Sequence, residues 1–181
     1  MSIPVYLDNN VWDFLLERKL DLGVELPHEE FCIYITREAE FEILLMPPNK
    51  RIFAEDTIAK YGIRTDALFG FYNDKYLLSE QRVRGWNQGR WASQQELAFM
   101  NEQVHRLGSG KDRPTRLHQY EADIALAARS FHGVVLSLDA RRGPLRDAYN
   151  QGGKIVFLTD FDDSGLSLSD FISRAVVQTL P

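Results

Sequence analysis

"VYLDNN" runs from Val5 to Asn10, and its reading decides the fold. Ile3, Val5 and Leu7 alternate with Pro4 and Tyr6, and β-branched and aromatic residues suit a strand. The run then stops on one carboxylate followed by two amides. Asp8 or Asn9 can cap the helix that Val11, Trp12, Phe14, Leu15 and Leu16 continue. That explanation leaves Asn10 without a role and gives no reason for a charge at the strand's end.

Working outward, three further apolar runs repeat the pattern: "FCIYI" at 31–35, "VVLSL" at 134–138 and "KIVFL" at 154–158. Helices are expected at 10–19, at 37–46 (capped by Thr36, stopped by Pro47 and Pro48) and at 51–60, ended by Gly62. Others follow at 92–107, at 118–131, in a short piece begun near Pro144, and in a last segment capped by Ser169 or Asp170. Residues 20–30 read as a loop, and 63–90 mostly as loops and short helices. Short strands that are apolar on both faces and alternate with helices mean a parallel sheet covered on both sides. The expectation is an α/β fold, a three-layer α/β/α sandwich with a parallel sheet of four or five strands. The 181 residues suit a single domain over 1–181, with an extended middle segment, 61–117, that pattern alone does not define.

Composition narrows the class. Hydrophobic residues make up 44% of the chain, enough for a full core. The lone Cys32 excludes an internal disulfide, sits in an apolar stretch where a buried, inert thiol is expected, and fits a reducing compartment. No signal peptide is visible, and no apolar run approaches the roughly 20 residues a membrane helix needs. A soluble, cytoplasmic protein with no membrane partner is therefore expected. The net charge of −5 argues against a general nucleic-acid binder. The charges are unevenly spread, however: residues 1–50 hold ten Asp/Glu against four Lys/Arg, and residues 75–117 hold eight Lys/Arg against four Asp/Glu. Two solvated faces would explain this, and so would a carboxylate cluster beside a phosphate-binding rim.

In open parallel sheets, ligands bind outside the carboxyl ends of the strands. Asp8 ends the first strand. Thr36 ends the second, with Glu42 in the helix that follows, and Asp139 ends the run at 134–138. Asp123 sits in "EADIALAA", an otherwise apolar helical stretch where a carboxylate must be paired or bound to metal. Four carboxylates brought together repel, and a hard divalent cation, Mg²⁺ or Mn²⁺, relieves the repulsion. Such a cluster suits metal-assisted hydrolysis of phosphodiesters, with no Ser or His nucleophile required.

These motifs together resemble the PIN-domain family, which includes VapC-type ribonuclease toxins and their relatives. "YLDNNVW" is similar to its first motif, with Asp8 as the acid and Asn10 as the amide; Asn9 stands where Thr or Ser is more usual. "ITREAEFEIL" supplies Thr36 and Glu42, "EADIALAA" supplies Asp123, and "LSLDA" supplies Ser137 and Asp139. The resemblance covers 3–46 and 118–158. It implies a metal-dependent endoribonuclease in which Asp8, Glu42, Asp123 and Asp139 are catalytic and hold Mg²⁺ or Mn²⁺, and in which Asn10, Thr36 and Ser137 support them. It also implies an RNA substrate, products with 5′-phosphate and 3′-hydroxyl ends, an antitoxin partner if the protein is a toxin, and a homodimer. Many members carry another acid two residues after the fourth Asp; here that residue is Arg141. This substitution is the best support for a rival reading, a catalytically inactive PIN-fold module that binds RNA or protein. A phosphatase of another α/β fold is a further rival, although Asn10 stands where a "DxD" motif needs its second Asp.

In the middle segment, Arg82, Arg84 and Arg90 interleave with Trp86 and Trp91. Arg pairs with phosphate and aromatics stack on unpaired bases; equally, the Trp residues can pack on the core. Arg84 and Arg90 are candidate substrate contacts, as are Arg141 and Arg142 after the last motif. The latter pair can instead form surface ion pairs of little energetic worth.

Overall fold

Five parallel strands form one sheet in the order β3-β2-β1-β4-β5: β1 Ile3–Leu7, β2 Phe31–Thr36, β3 Arg64–Asp66, β4 Val134–Ser137 and β5 Ile155–Phe157. The computed structural model describes residues 2–67, 71–72, 75, 89–108 and 113–178. Arg82, Arg84 and Trp86 lie outside the described residues. Helices fill the connections: α1 Val11–Arg18, α2 Leu22–Glu25, α3 Arg37–Ile43, α4 Pro48–Tyr61, α5 Gln94–Gln103, α6 Glu121–Arg129, α7 Pro144–Asn150, α8 Phe161–Ser164 and α9 Leu168–Gln178.

The alternation along β1 and β4 builds the three layers. Val5 and Leu7 of β1, with Val134 and Leu136 of β4, face a core closed by Trp12, Phe14 and Leu15 of α1, Ala54 of α4 and Ile172 of α9. Tyr6 and Val135 face a second core with Phe99 and Met100 of α5, Ile124 and Ala128 of α6, and Ala148 of α7. Period-two side-chain direction separates the two sets, so strands that are apolar throughout are buried on both faces.

The structure differs from the sequence expectation in several places. β3 is new: its "RTD" is polar and largely exposed at the sheet edge, so no apolar pattern marks it. α2, expected as loop, is a single turn capped by Asp21, whose carboxylate accepts the Gly23 and Val24 N–H groups. α9 starts at Leu168 because Ser167, not Ser169 or Asp170, accepts the Asp170 N–H. Neither Asp8 nor Asn9 caps α1; the residue before that helix is Asn10, and its side chain makes no capping bond. Thr36 does cap α3, accepting the Ala39 N–H at 3.0 Å. Cys32 is half-buried and unpaired as a thiol, with Sγ 3.2 Å from the Tyr34 hydroxyl. Among the described residues, no helix is long and apolar enough to cross a membrane.

What holds so polar an edge strand is a buried guanidinium. Arg129, at the end of α6, is fully buried. Its Nε donates to the Asp66 carboxylate at 2.8 Å, one Nη to the Asp66 carbonyl at 2.8 Å and the other to the Ala125 carbonyl at 2.6 Å. Asp66 also accepts from Arg90, which forks onto the buried Glu96 at 2.5 and 3.0 Å. β3, α5 and α6 are thus joined by charges that satisfy one another. Removing one partner strands the rest without water. Arg129→Met is expected to cost about 3–5 kcal/mol of stability, read as a lower urea midpoint, and adding Asp66→Asn in the same chain should restore part of the loss.

Candidate functional site

The site begins where β1 ends. Asp8 donates its N–H to the Leu136 carbonyl, which continues the β1–β4 pairing past the last strand residue. Its carboxylate, turned inward, accepts three hydrogen bonds: the Asn9 N–H at 2.7 Å, Asn10 Nδ2 at 2.7 Å and Ser137 Oγ at 2.6 Å. Asn10 Oδ1 in turn accepts the Leu138 N–H at 2.9 Å, and Ser137 Oγ accepts the Asp139 N–H at 2.9 Å. One lattice therefore ties the end of β1 to the turn after β4 and fixes Asp8 relative to Asp139. Burial pushes the Asp8 carboxyl up, the Ser137, Asn9 and Asn10 hydrogen bonds oppose this, and the charge of Glu42 adds to the upward push.

Glu42 reaches the same place from α3. Asn9 Nδ2 donates to its Oε2 at 2.9 Å, while Asn9 Oδ1 accepts Trp12 Nε1 at 3.3 Å. Asn9 thus links the first strand end to the second. In the sequence Asn9 stands only as a possible helix cap and as a departure from the Thr or Ser of the resembled motif, and no local pattern marks Glu42 as its acceptor. Thr36 touches none of the four acids. It caps the helix that carries Glu42, and so acts on the site through the backbone of α3.

Asp123 lies in the first turn of α6, and its carboxylate accepts no hydrogen bond among the described residues. Its carboxyl is pushed up to about 7, first by burial and then by the charges of Asp8, Glu42 and Asp139. Asp139 behaves in the opposite way. Arg141 donates to it from both its backbone N–H (3.1 Å) and its Nε (3.0 Å), which holds its carboxyl below the usual range. The four acids predicted from sequence therefore face one another electrostatically across the carboxyl ends of β1, β2 and β4. Asp123 is the member with no compensating bond.

Beside Asp123 and Glu42 opens a pocket of about 230 Å³, also lined by Arg113, Gln119, Tyr120 and Ala122. Asp8 and Asp139 do not line it. Among the described residues, no three His, Cys, Asp or Glu side chains stand together closely enough to hold a metal ion. The chemistry of the donor set nonetheless fits a hard divalent cation. All four groups are carboxylates, and their mutual repulsion falls on a half-buried carboxyl whose rise the charge of Arg113, on the same pocket, opposes only in part.

The arginines expected at the rim divide. Arg90 is engaged by Asp66 and Glu96 in the ionic cluster that holds β3, so its guanidinium serves the fold. Arg141 covers Asp139. Arg142 is exposed and makes no hydrogen bond or ion pair among the described residues. Arg84 lies outside the described residues. Comparison with protein-family models, with curated proteins and with solved structures finds no match to this chain.

The raised Asp123 carboxyl has a sign that can be checked. The folded protein holds that proton up to about pH 7, whereas the unfolded chain loses it near the ordinary value of 3.8. The folded state is thus penalised progressively as pH rises between those values, and fully above them. Asp123→Asn should therefore stabilise the metal-free protein at pH 8 by about 1–2 kcal/mol relative to its effect at pH 4, less than full linkage because the carboxyl is partly solvated. Urea unfolding of both proteins at the two pH values measures the difference.

Proposed function

We propose that this chain is a metal-dependent endoribonuclease of PIN-like type, hydrolysing RNA phosphodiester bonds. The observation that carries the reading is the electrostatic coupling of Asp123 to Asp8, Glu42 and Asp139, which with burial raises it to about 7. Arg141 pairs with Asp139 and Arg113 offsets part of the repulsion at Asp123, yet Asp123 stays raised, and a divalent cation would relieve what remains.

Mg²⁺ or Mn²⁺, held by these four carboxylates, would supply charge neutralisation at the scissile phosphate and a lowered pKa for attacking water. The residues of the chain have separable duties. Asp8 is held by Ser137 and Asn10 in one rotamer, so its remaining lone pairs keep a fixed direction. Asn9 orients Glu42 in the same way. Asp123, unbonded, is free to turn toward whichever cation or proton is present. Arg141 presents a guanidinium beside Asp139, well placed to meet a phosphate oxygen once Asp139 is engaged elsewhere.

The same Arg141–Asp139 pair favours a second reading, a PIN-like module that binds RNA or protein without cutting it, because a cation of the chain already occupies one of the four acids. The wider proposal is that the nuclease acts in the cytoplasm as the toxin of a toxin–antitoxin pair, as a homodimer, with a small antitoxin covering the acidic pocket. Growth arrest on expression, relieved by a neighbouring gene product, supports that role, and harmless high-level expression opposes it.

Incubation of the protein with a mixed RNA pool in Mn²⁺, Mg²⁺ and EDTA separates the two readings. Cleavage in the metal lanes, absent in EDTA and absent for Asp8→Asn and Asp139→Asn with unchanged circular dichroism, is the expected result. Asn10→Ala, which loosens Asp8 without removing a carboxylate, should lower the rate about 10–100-fold. Undiminished cutting by the Asp8→Asn protein would sink the assignment. RNA binding without cutting, and no Mn²⁺-induced rise in melting temperature, would select the non-catalytic module.

A further inference from the structure

The pocket beside Asp123 carries residues that make no hydrogen bond or ion pair with the acid cluster among the described residues, although the charge of Arg113 reaches Asp123. Arg113, Gln119 and Tyr120 line it together with Glu42 and Asp123. Arg113 is anchored, one Nη donating to the His118 carbonyl at 3.2 Å. It makes no salt bridge among the described residues, although two carboxylates line the same pocket. A guanidinium and two carboxylates that share one cavity without bonding leave room for a third party between them. Tyr120 is 41% exposed and makes no ring contact among the described residues. Its backbone is fixed: φ is +61°, a left-handed value uncommon for a residue with a side chain, and its carbonyl accepts the Ile124 N–H at 2.9 Å as α6 begins. An exposed aromatic ring is thereby held at the pocket's edge at the start of α6. Gln119, also exposed, adds an amide able to donate and accept.

A planar ring, a fork-shaped cation and an amide around one small cavity match the parts of a nucleotide: base face, phosphate and base edge. The volume is below the roughly 300–1,000 Å³ of drug-sized sites, which suits one residue of a chain and not a free dinucleotide cofactor. We propose that Arg113, Gln119 and Tyr120 form a single-nucleotide subsite for single-stranded RNA. Tyr120 stacks on an unpaired base, Arg113 takes the adjoining phosphate and Gln119 bonds the base edge. The choice of RNA as ligand rests on the nuclease reading above. Duplex RNA is excluded from the subsite because its bases are already stacked on one another and present no free face.

Fluorescence anisotropy of a labelled pool of short single-stranded RNAs, in EDTA so that nothing is cut, tests the subsite apart from catalysis. Tyr120→Leu should weaken binding about tenfold, and Tyr120→Phe should bind as the wild type does. Arg113→Gln should weaken binding and flatten the slope of log K against log salt by about 0.7, the loss of one phosphate contact on a single strand, whereas Tyr120→Leu should leave that slope unchanged. All three positions are exposed, so the variants should fold normally. If the wild type cuts RNA and these variants bind it as tightly as the wild type, the subsite is refuted and the nuclease reading stands. If RNA binds through Tyr120 and Arg113 but no metal supports cutting, the subsite holds and the nuclease reading falls. If the RNA pool does not bind in EDTA at any concentration below aggregation, the subsite is refuted.

Discussion

A carboxylate at the end of a central strand cannot be solvated freely, so the protein must supply the donors. For Asp8 these are the Asn9 N–H, the Asn10 amide and the Ser137 hydroxyl. The solution is economical because each donor has a second task. Asn10 also accepts the Leu138 N–H, and Ser137 accepts the Asp139 N–H. Two strand ends far apart in sequence meet at one carboxylate, and the placement of Asp8 relative to Asp139 follows from that junction. The three polar letters of "DNN" serve here as a joint, and only Asn10 stands in the N-cap position, without capping through its side chain.

The molecule carries two charged networks, and they contrast. Around Arg129, cations and anions alternate: Arg129, Asp66, Arg90 and Glu96 satisfy one another, and the cluster fastens an edge strand that has little apolar surface of its own. Around Asp123, anions face anions. The first network costs desolvation and returns rigidity. The second stays repulsive at Asp123 although Arg113 lies on the same pocket, because that guanidinium forms no ion pair with either carboxylate there among the described residues. This difference in compensation, more than the number of acids, distinguishes a structural cluster from a candidate site.

Much of this was legible in sequence because burial on both faces writes an unbroken apolar run, and four of the five strands have one. β3 was not legible: its "RTD" is held by Arg129, a residue sixty-odd positions away, and no local pattern encodes such a partner. The acids at strand ends were legible as a set, since a carboxylate that interrupts an apolar stretch is costly unless used. The role of Asn9 was not, because an amide is unremarkable until its acceptor, Glu42, is known. Arg90 was misjudged for a related reason. A basic residue among tryptophans looks like a nucleic-acid contact, and only the fold reveals the buried Glu96 that claims it.

The strand order also has a consequence for how the chain is made. β1 sits in the middle of the sheet, between β2 and β4, yet Val5 must wait for Val134 before that second side is paired. At ribosomal speed the interval is on the order of ten seconds, during which a hydrophobic strand with one open edge exists in the cell. Pairing so distant in sequence is also slow to find by search alone. The nascent chain therefore passes through a vulnerable period in which chaperone cover or early packing of α1 and α4 must shield β1, and the anionic joint at Asp8 closes only after Ser137 has been made.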